Sequence, residues 1–102
     1  SYNANPESMR AGIDAIAAIG ADASIGRTVA VLGVMRELGA DSEAAHREIG
    51  EYAAARVDRL LVVGPEARGI HVGAGDRSTY VDDNDAAIAW LRENLLEVTQ
   101  FS

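Results

Sequence analysis

The sequence predicts an α/β fold in which a mainly parallel sheet carries helices on both faces. Two short apolar runs, residues 28–33 (TVAVLG) and 59–64 (RLLVVG), are rich in β-branched residues, as strands buried in a parallel sheet are. Segments with helical spacing lie before, between and after these runs. Strands that alternate with helices in this way are typical of parallel sheets whose connections cross over the faces.

The first helix is predicted over Pro6–Ile19. Asn5 is placed to act as its N-cap, and Pro6 occupies the first helical position, where a missing N–H costs nothing. After the first strand, an irregular loop leads to a second helix that either Asp41 or Ser42 would cap. The sequence therefore provides start signals for both helices.

The second half of the chain is less uniform. The stretch Glu66–Val72 reads either as a helix or, in its GIHVG part, as a strand. Thr79–Val81 is predicted to be a short strand, and Asp82 or Asp83 would cap a last helix. The face of that helix predicted to be buried carries Ala87, Ile88, Leu91, Leu95 and Val98.

Composition indicates a single globular domain and excludes some partners. The chain has 102 residues, is 48% hydrophobic and carries a formal net charge of −7. Negative charge argues against nucleic acid and against anionic membrane surfaces as partners. The chain has no cysteine, no apolar run of membrane-spanning length and no visible signal peptide, so we expect a cytoplasmic protein without membrane insertion.

Several kinds of catalytic or metal site are not found in the sequence. There is no P-loop, no G-x-G-x-x-G and no G-x-S-x-G motif, and the two histidines, His46 and His71, have no second ligand nearby. All nine basic residues are arginine, which excludes a P-loop lysine and a Schiff-base lysine. The chain alone is therefore not predicted to contain catalytic or metal-binding residues.

The place of a binding site follows from the fold class. Ligands of open parallel sheets bind at the carboxyl ends of the strands. In this chain those ends are Gly33–Gly39, Gly64–Pro65 and Val81–Asp83. Ser1–Asn5 would form another such end if a strand preceded it.

Two stretches carry specific sequence motifs, Ser1–Pro6 (SYNANP) and Ala30–Gly39 (AVLGVMRELG). Both resemble motifs of the Mur ligases, the ATP-dependent amino-acid-adding enzymes of peptidoglycan synthesis. Ser1–Pro6 (SYNANP) is similar to the family's Asp-Asp-Ser-Tyr-Asn-Ala-Asn-Pro at a strand end, without its leading aspartates. Ala30–Gly39 (AVLGVMRELG) is similar to Ala-Val-Leu-Gly-Asp-Met-x-Glu-Leu-Gly. Ser42 and His46 then match the family's Ser-x-x-x-His helix. The match is best to members that add D-alanyl-D-alanine.

The resemblance extends over nearly the whole chain. It implies that residues 1–102 are one C-terminal Mur ligase domain, Rossmann-like and three-layered, truncated at both ends and separate from the ATPase and UDP-sugar domains. It also favours a helix over Glu66–Val72. Two departures are visible: Val34 replaces the family's acidic residue, and the closing strand Val-Leu-Val-Lys-Gly-Ser-Arg is not found.

The resemblance also implies a reaction. ATP and magnesium would be held mainly by the middle domain, and the carboxylate of UDP-N-acetylmuramoyl-tripeptide would attack the γ-phosphate to give an acyl phosphate. The amine of D-alanyl-D-alanine would then displace phosphate. The C-terminal domain would close over the nucleotide and present the dipeptide, so this domain alone is expected to be inactive.

On the nucleotide side, the resemblance points to Tyr2, Asn3 and Asn5. The two asparagines would make hydrogen bonds to the nucleotide across the domain cleft, with Tyr2 packing nearby. The alternative is that Asn5 only caps the first helix and Asn3 only closes the loop. No catalytic or metal residue is assigned to this chain.

On the dipeptide side, the resemblance points to Glu37 and His46, which would line the D-alanyl-D-alanine pocket or orient the loop between the first strand and second helix. The alternative is that Glu37 only holds Arg36 or a backbone N–H, and that His46 is a surface residue of its helix. Their position in or near a loop does not decide between the substrate-side role and the structural role.

Other functions are still open from the sequence. A freestanding doubly wound α/β binding module without catalysis would share the fold, although a receiver-type module would need the lysine that this chain lacks. Ligases that add diaminopimelate or lysine, and folylpolyglutamate synthase, carry a histidine where Ala4 stands, and this disfavours them.

Overall fold

The computed structural model describes residues 4–22 and 24–100. The helices are α1 (Pro6–Gly20), α2 (Ser42–Ala54), α3 (Arg68–Ala74) and α4 (Asn84–Gln100), and the strands are β1 (Val29–Leu32), β2 (Arg59–Val63) and β3 (Ser78–Val81). Short 3₁₀ turns cover Gly39–Asp41, Pro65–Ala67 and Gly75–Arg77. No helix in the described ranges is long and apolar enough to cross a membrane.

The three strands form a parallel sheet in the order β1-β2-β3. Leu60 pairs with Ala30 on one side and with Ser78 on the other. The central strand is the most buried, and its residues Leu60, Leu61 and Val62 are completely buried. Strand β2 therefore forms the buried centre of the sheet.

Helices cover both faces of this sheet. Leu60 and Val62 point to the face where the main core also contains residues of α1, α2 and α3. Leu61 alternates to the opposite face, where α4 packs on β2 and β3. The predicted α/β fold, a parallel sheet with helices on both faces, is confirmed.

Two predictions about burial are wrong. β1 was expected to be buried on both faces, but Val31 is 48% exposed, because it points to the face that α4 covers and α4 packs mainly on β2 and β3. In α4, Ala87 is buried, whereas Ile88 is 50% and Leu95 39% exposed. Helical spacing shows which residues share a stripe, but α4 packs mainly on β2 and β3 and covers only part of that stripe.

The element boundaries follow the sequence signals closely. Glu66–Val72, ambiguous from its own residues, forms a 3₁₀ turn that leads into α3, as the resemblance implied. Asp83 caps α4, since its Oδ1 accepts a hydrogen bond from the N–H of Ala86 at 2.8 Å. Asp41 occupies the N-cap position of α2, but its side chain makes no capping hydrogen bond.

Helices α2 and α3 pack unusually closely through glycines. A Cβ on Gly50 or Gly73 would overlap the backbone of the facing helix. A Cβ on Gly69 would lie 3.0 Å from the Cβ of His46. These contacts fix the spacing between the two helices that begin at the carboxyl edge of the sheet.

Candidate functional site

The carboxyl ends of the three strands meet at one edge of the sheet, because the strands are parallel. The loop of residues 33–38 leaves β1 there, Gly64 and Pro65 follow β2, and Asp82 and Asp83 follow β3. At this edge a hydrogen bond joins the ends of β2 and β3, because the N–H of Gly64 donates to the carbonyl oxygen of Val81 at 2.9 Å. The predicted site elements are thus brought together.

The loop after β1 has a constrained backbone. Glu37 has φ 63°, in the left-handed region that residues other than glycine rarely adopt. Its side chain is exposed, and within residues 4–22 and 24–100 it has no hydrogen bond or ion pair. A strained residue with an exposed carboxylate at a strand end is a candidate ligand contact.

Arg36 and Val34 of the same loop have other partners. The guanidinium of Arg36 lies 3.8 Å from the carboxylate of Glu66, which follows β2. The alternative that Glu37 holds Arg36 is therefore wrong. Val34, which replaces the family's acidic residue, is half-buried and packs on the core.

His46 lies beneath this loop and is only 1% exposed. Its Nε2 accepts a hydrogen bond from the N–H of Met35 at 3.0 Å, and its Nδ1 lies 2.7 Å from the carbonyl oxygen of Ser42. The alternative that His46 is a surface residue of its helix is wrong. The helical spacing of Ile49 and Ala53 already places His46 on the buried face of α2, and α3 packs over that face.

A cleft of about 480 Å³ opens between the N-terminal parts of α2 and α3. Ser42, His46 and Arg47 line it from α2, and Glu66 and Arg68 line it from the segment after β2. His46 forms its floor. The cleft mixes both signs of charge with apolar groups, which suits a small polar ligand more than a large apolar one.

Strand β3 adds a cluster that the sequence did not predict. The guanidinium carbon of Arg68 lies 5.0 Å from the ring centroid of Tyr80, and His71 Nδ1 lies 2.8 Å from Ser78 Oγ. Burial, and then the carboxylate of Asp82, raise the pKa of Tyr80. No sequence spacing indicates this cluster, because its members meet only through strand register and helix packing.

On the nucleotide side, Asn5 caps α1. Its Oδ1 accepts from the N–H of Ser8 at 2.9 Å, and its own N–H donates to Ser8 Oγ at 3.0 Å, so the two residues form a capping box. Asn5 is exposed, so its Nδ2 amide group is accessible from outside. Tyr2 and Asn3 lie outside the described residues.

The described part of the chain has no group of three or more histidine, cysteine, aspartate or glutamate residues that could hold a metal ion. This edge offers hydrogen-bond donors and acceptors and exposed carboxylates, of Glu37 in the loop after β1, Glu66 after β2, and Asp82 and Asp83 after β3.

Comparison with known proteins identifies similar domains. A family profile described as "Mur ligase, glutamate ligase domain" matches residues 1–98. A UDP-N-acetylmuramoyl-tripeptide--D-alanyl-D-alanine ligase of Mycobacterium tuberculosis is 41% identical over an alignment of 117 positions. This alignment covers 93% of this chain and 23% of the relative. The ligase of the same name from Escherichia coli is 42% identical over 83 residues, covering 80% of this chain and 17% of the relative.

Solved structures agree. A MurF from Acinetobacter baumannii superposes with a TM-score of 0.74 at 28% identity, covering 98% of this chain and 21% of that protein. A MurF ligase from Thermotoga maritima, in complex with ADP, gives a TM-score of 0.70 at 30% identity over 93% of this chain and 21% of that protein. The chain thus spans about a fifth of the length of the proteins it matches. Since the family profile covers residues 1–98, the chain belongs to the Mur ligase, glutamate ligase domain family.

Proposed function

We propose that this chain is the C-terminal domain of an ATP-dependent ligase that adds D-alanyl-D-alanine to UDP-N-acetylmuramoyl-tripeptide in cytoplasmic peptidoglycan synthesis. The observation that carries the proposal is the 41% identity, over 93% of the chain, to a ligase of that name. Residues 1–102 would be one domain of a longer protein, and other domains of that protein would bind the nucleotide's phosphates and the UDP-sugar.

ATP is the proposed nucleotide, because a solved neighbour was determined in complex with ADP. Tyr2, Asn3 and Asn5 are the proposed contacts on this side. Asn5 would serve two purposes at once, because its Oδ1 caps α1 while its exposed Nδ2 amide would donate to the nucleotide. The cap would hold the amide in one direction and so reduce the ordering cost of a nucleotide contact.

D-alanyl-D-alanine is the proposed second substrate, and Glu37 its proposed contact. The dipeptide carries an ammonium group, which an exposed carboxylate attracts. Glu37 presents its carboxylate at the carboxyl edge of the sheet, where ligands of parallel sheets bind. The backbone conformation of the loop orients the side chain of Glu37. Its neighbour Met35 is hydrogen-bonded to α2, and its neighbour Arg36 forms an ion pair with the segment after β2.

The chemistry would be a two-step acyl transfer. The tripeptide carboxylate attacks the γ-phosphate of ATP, ADP leaves, and an acyl phosphate forms. The ammonium group of the dipeptide then loses one proton to solvent, the resulting amine attacks the acyl carbon, and inorganic phosphate leaves. Magnesium, when bound elsewhere in the ligase, would neutralise phosphate charge. The part of this domain is to orient the amine and to exclude water from the acyl phosphate.

The test is phosphate release by the full-length protein that carries this domain. We expect release only when ATP, UDP-N-acetylmuramoyl-tripeptide and D-alanyl-D-alanine are all present, with a matched reaction lacking each one as control. Release with diaminopimelate, lysine or glutamate in place of the dipeptide would assign the chain to another ligase. A full-length protein without an ATPase domain and without any turnover would favour the binding-module alternative.

A further inference from the structure

His46 makes two hydrogen bonds that connect a loop to a helix. Its Nε2 lies 3.0 Å from the backbone nitrogen of Met35, in the loop after β1. Its Nδ1 lies 2.7 Å from the carbonyl oxygen of Ser42, one turn earlier in α2. The imidazole therefore joins the loop of residues 33–38 to the start of α2.

The two partners determine the protonation of the ring. A backbone N–H can only donate, so Nε2 must be an acceptor without a proton. A backbone carbonyl oxygen can only accept, so Nδ1 must carry the single ring proton. Both nitrogens of this neutral imidazole are thus occupied by the protein itself, and neither is free to make a strong hydrogen bond to a substrate.

Packing keeps the ring in this place. α3 crosses directly over it, because Gly69 has no side chain and a Cβ there would lie 3.0 Å from the Cβ of His46. Met35 on the other side is also 1% exposed. A buried hydrogen bond of this kind is stronger and more directional than the exposed ion pair between Arg36 and Glu66, the loop's other tie.

We infer that His46 is a positioning residue of the ligase: it does not touch D-alanyl-D-alanine but holds the β1–α2 loop so that Glu37 faces the dipeptide. The inference rests on the proposed function. Glu37 follows the held amide of Met35 by two residues and has the strained φ of 63°. Strain of this kind persists only where neighbouring contacts enforce it, and the bond from Met35 to His46 is the nearest buried one.

Two substitutions separate the two hydrogen bonds. In His46→Gln, the side-chain oxygen reaches the place of Nε2 and accepts from Met35, whereas the bond to Ser42 is lost. In His46→Asn, the shorter amide keeps a donor for the Ser42 carbonyl and cannot reach Met35. Glu48→Gln, an exposed change on the same helix, is the control. All are made in the full-length ligase, with thermal unfolding measured for each.

The kinetic readout is the KM for each substrate. For His46→Asn we expect the KM for D-alanyl-D-alanine to rise about tenfold while the KM for ATP stays unchanged, since a displaced contact weakens one substrate selectively. His46→Gln should restore most of the loss. Equal kinetics in the two variants, or an ATP KM that rises in step with the dipeptide KM, would overturn the inference.

A structural readout keeps the test independent of turnover and of the variants' stability. In wild-type ligase labelled with ¹⁵N-histidine, the ¹⁵N chemical shifts of His46 should show a proton on Nδ1 and none on Nε2. The backbone amide hydrogen of Met35 should exchange slowly with solvent. A ring protonated at Nε2 would overturn the inference without any substitution. A wild-type ligase that ignores D-alanyl-D-alanine would instead overturn the proposed function, and the Met35 amide would still decide whether His46 holds the loop.

Discussion

Gly73 of α3 packs directly against the backbone of Arg47 in α2. A side chain at Gly73 would overlap the carbonyl group of Arg47, so the two helices can lie at this distance only because Gly73 has no Cβ. The same closeness brings Gly69 over His46 and closes the floor of the cleft at the carboxyl edge. Helix spacing and site geometry therefore depend on the same glycines.

Replacing Gly73 with alanine should destabilise the fold strongly. The added methyl group meets rigid backbone, so the helices must move apart, and overpacking of this kind costs about 3 kcal/mol. The matched control is Gly12→Ala in α1, where nothing lies within 4 Å of the new Cβ. That change should stabilise the helix by roughly 0.5–1 kcal/mol. The measurement is urea unfolding of both variants, and similar stability for the two would contradict the packing argument.

Thr28 and Asp58 join the starts of β1 and β2. The Asp58 Oδ2 accepts from the N–H of Thr28 at 2.8 Å, and the N–H of Asp58 donates to Thr28 Oγ1 at 3.0 Å. The hydrogen bond from the Thr28 N–H is the main reason that the pKa of Asp58 lies below its ordinary value of 3.8. We expect Asp58→Asn to lower the unfolding midpoint at neutral pH.

The pH dependence has a definite sign. A carboxyl group with a lowered pKa in the folded state stabilises the fold above its ordinary value of 3.8, and that stabilisation is lost as the pH falls through the folded pKa. The gap in midpoint between wild type and Asp58→Asn should therefore be constant from pH 7 to about pH 5 and should close below 3.8. The control, Glu48→Gln, should show little effect. A gap that widens in acid would contradict the role assigned to Asp58.

Asn5 allows its two roles to be measured separately. Asn5→Ala removes the cap of α1 and should cost about 1 kcal/mol of stability. Asn5→Ser keeps an oxygen for the Ser8 N–H and should remain close to wild type in stability. If the amide also contacts the nucleotide, Asn5→Ser in the full-length ligase should raise the KM for ATP about fivefold, the worth of one hydrogen bond. An unchanged KM for ATP would leave Asn5 as a cap only.

Local signals in the sequence predicted much of the fold. The proline and capping residues defined α1, and the apolar runs marked β1 and β2, because both depend on neighbouring residues alone. The burial of β1 and α4 was predicted less well. Val31 and Ile88 have the composition of buried residues, but their exposure depends on which elements lie across from them in the tertiary structure.

The site was predicted only in outline. The carboxyl edge followed from strand order, and Glu37 and His46 were candidates from the motif, but the sequence could not tell a substrate contact from a support. The proposed distinction rests on the burial of His46 and on its hydrogen bonds to the backbone of Met35 and Ser42. The cluster of Arg68 and Tyr80 had no sequence signal at all.

Glu37 should show a conflict between stability and function. Its φ of 63° is unfavourable for a residue with a Cβ and easy for glycine, so Glu37→Gly should stabilise the fold by about 1 kcal/mol. The same change removes the carboxylate proposed to face the ammonium group of the dipeptide, and the KM for D-alanyl-D-alanine should rise about tenfold, as expected for a lost charged hydrogen bond.

Glu37→Gln is the matched control, because it keeps the strained backbone and removes only the charge. It should leave the unfolding midpoint near that of wild type while raising the KM for the dipeptide as much as Glu37→Gly does. The measurements are thermal unfolding and steady-state phosphate release by the full-length ligase. If Glu37→Gly is more stable and fully active, the strain belongs to loop folding alone and the carboxylate does not meet the dipeptide. If it is less stable, residue 37 is held by contacts that glycine cannot make, and the strain argument fails.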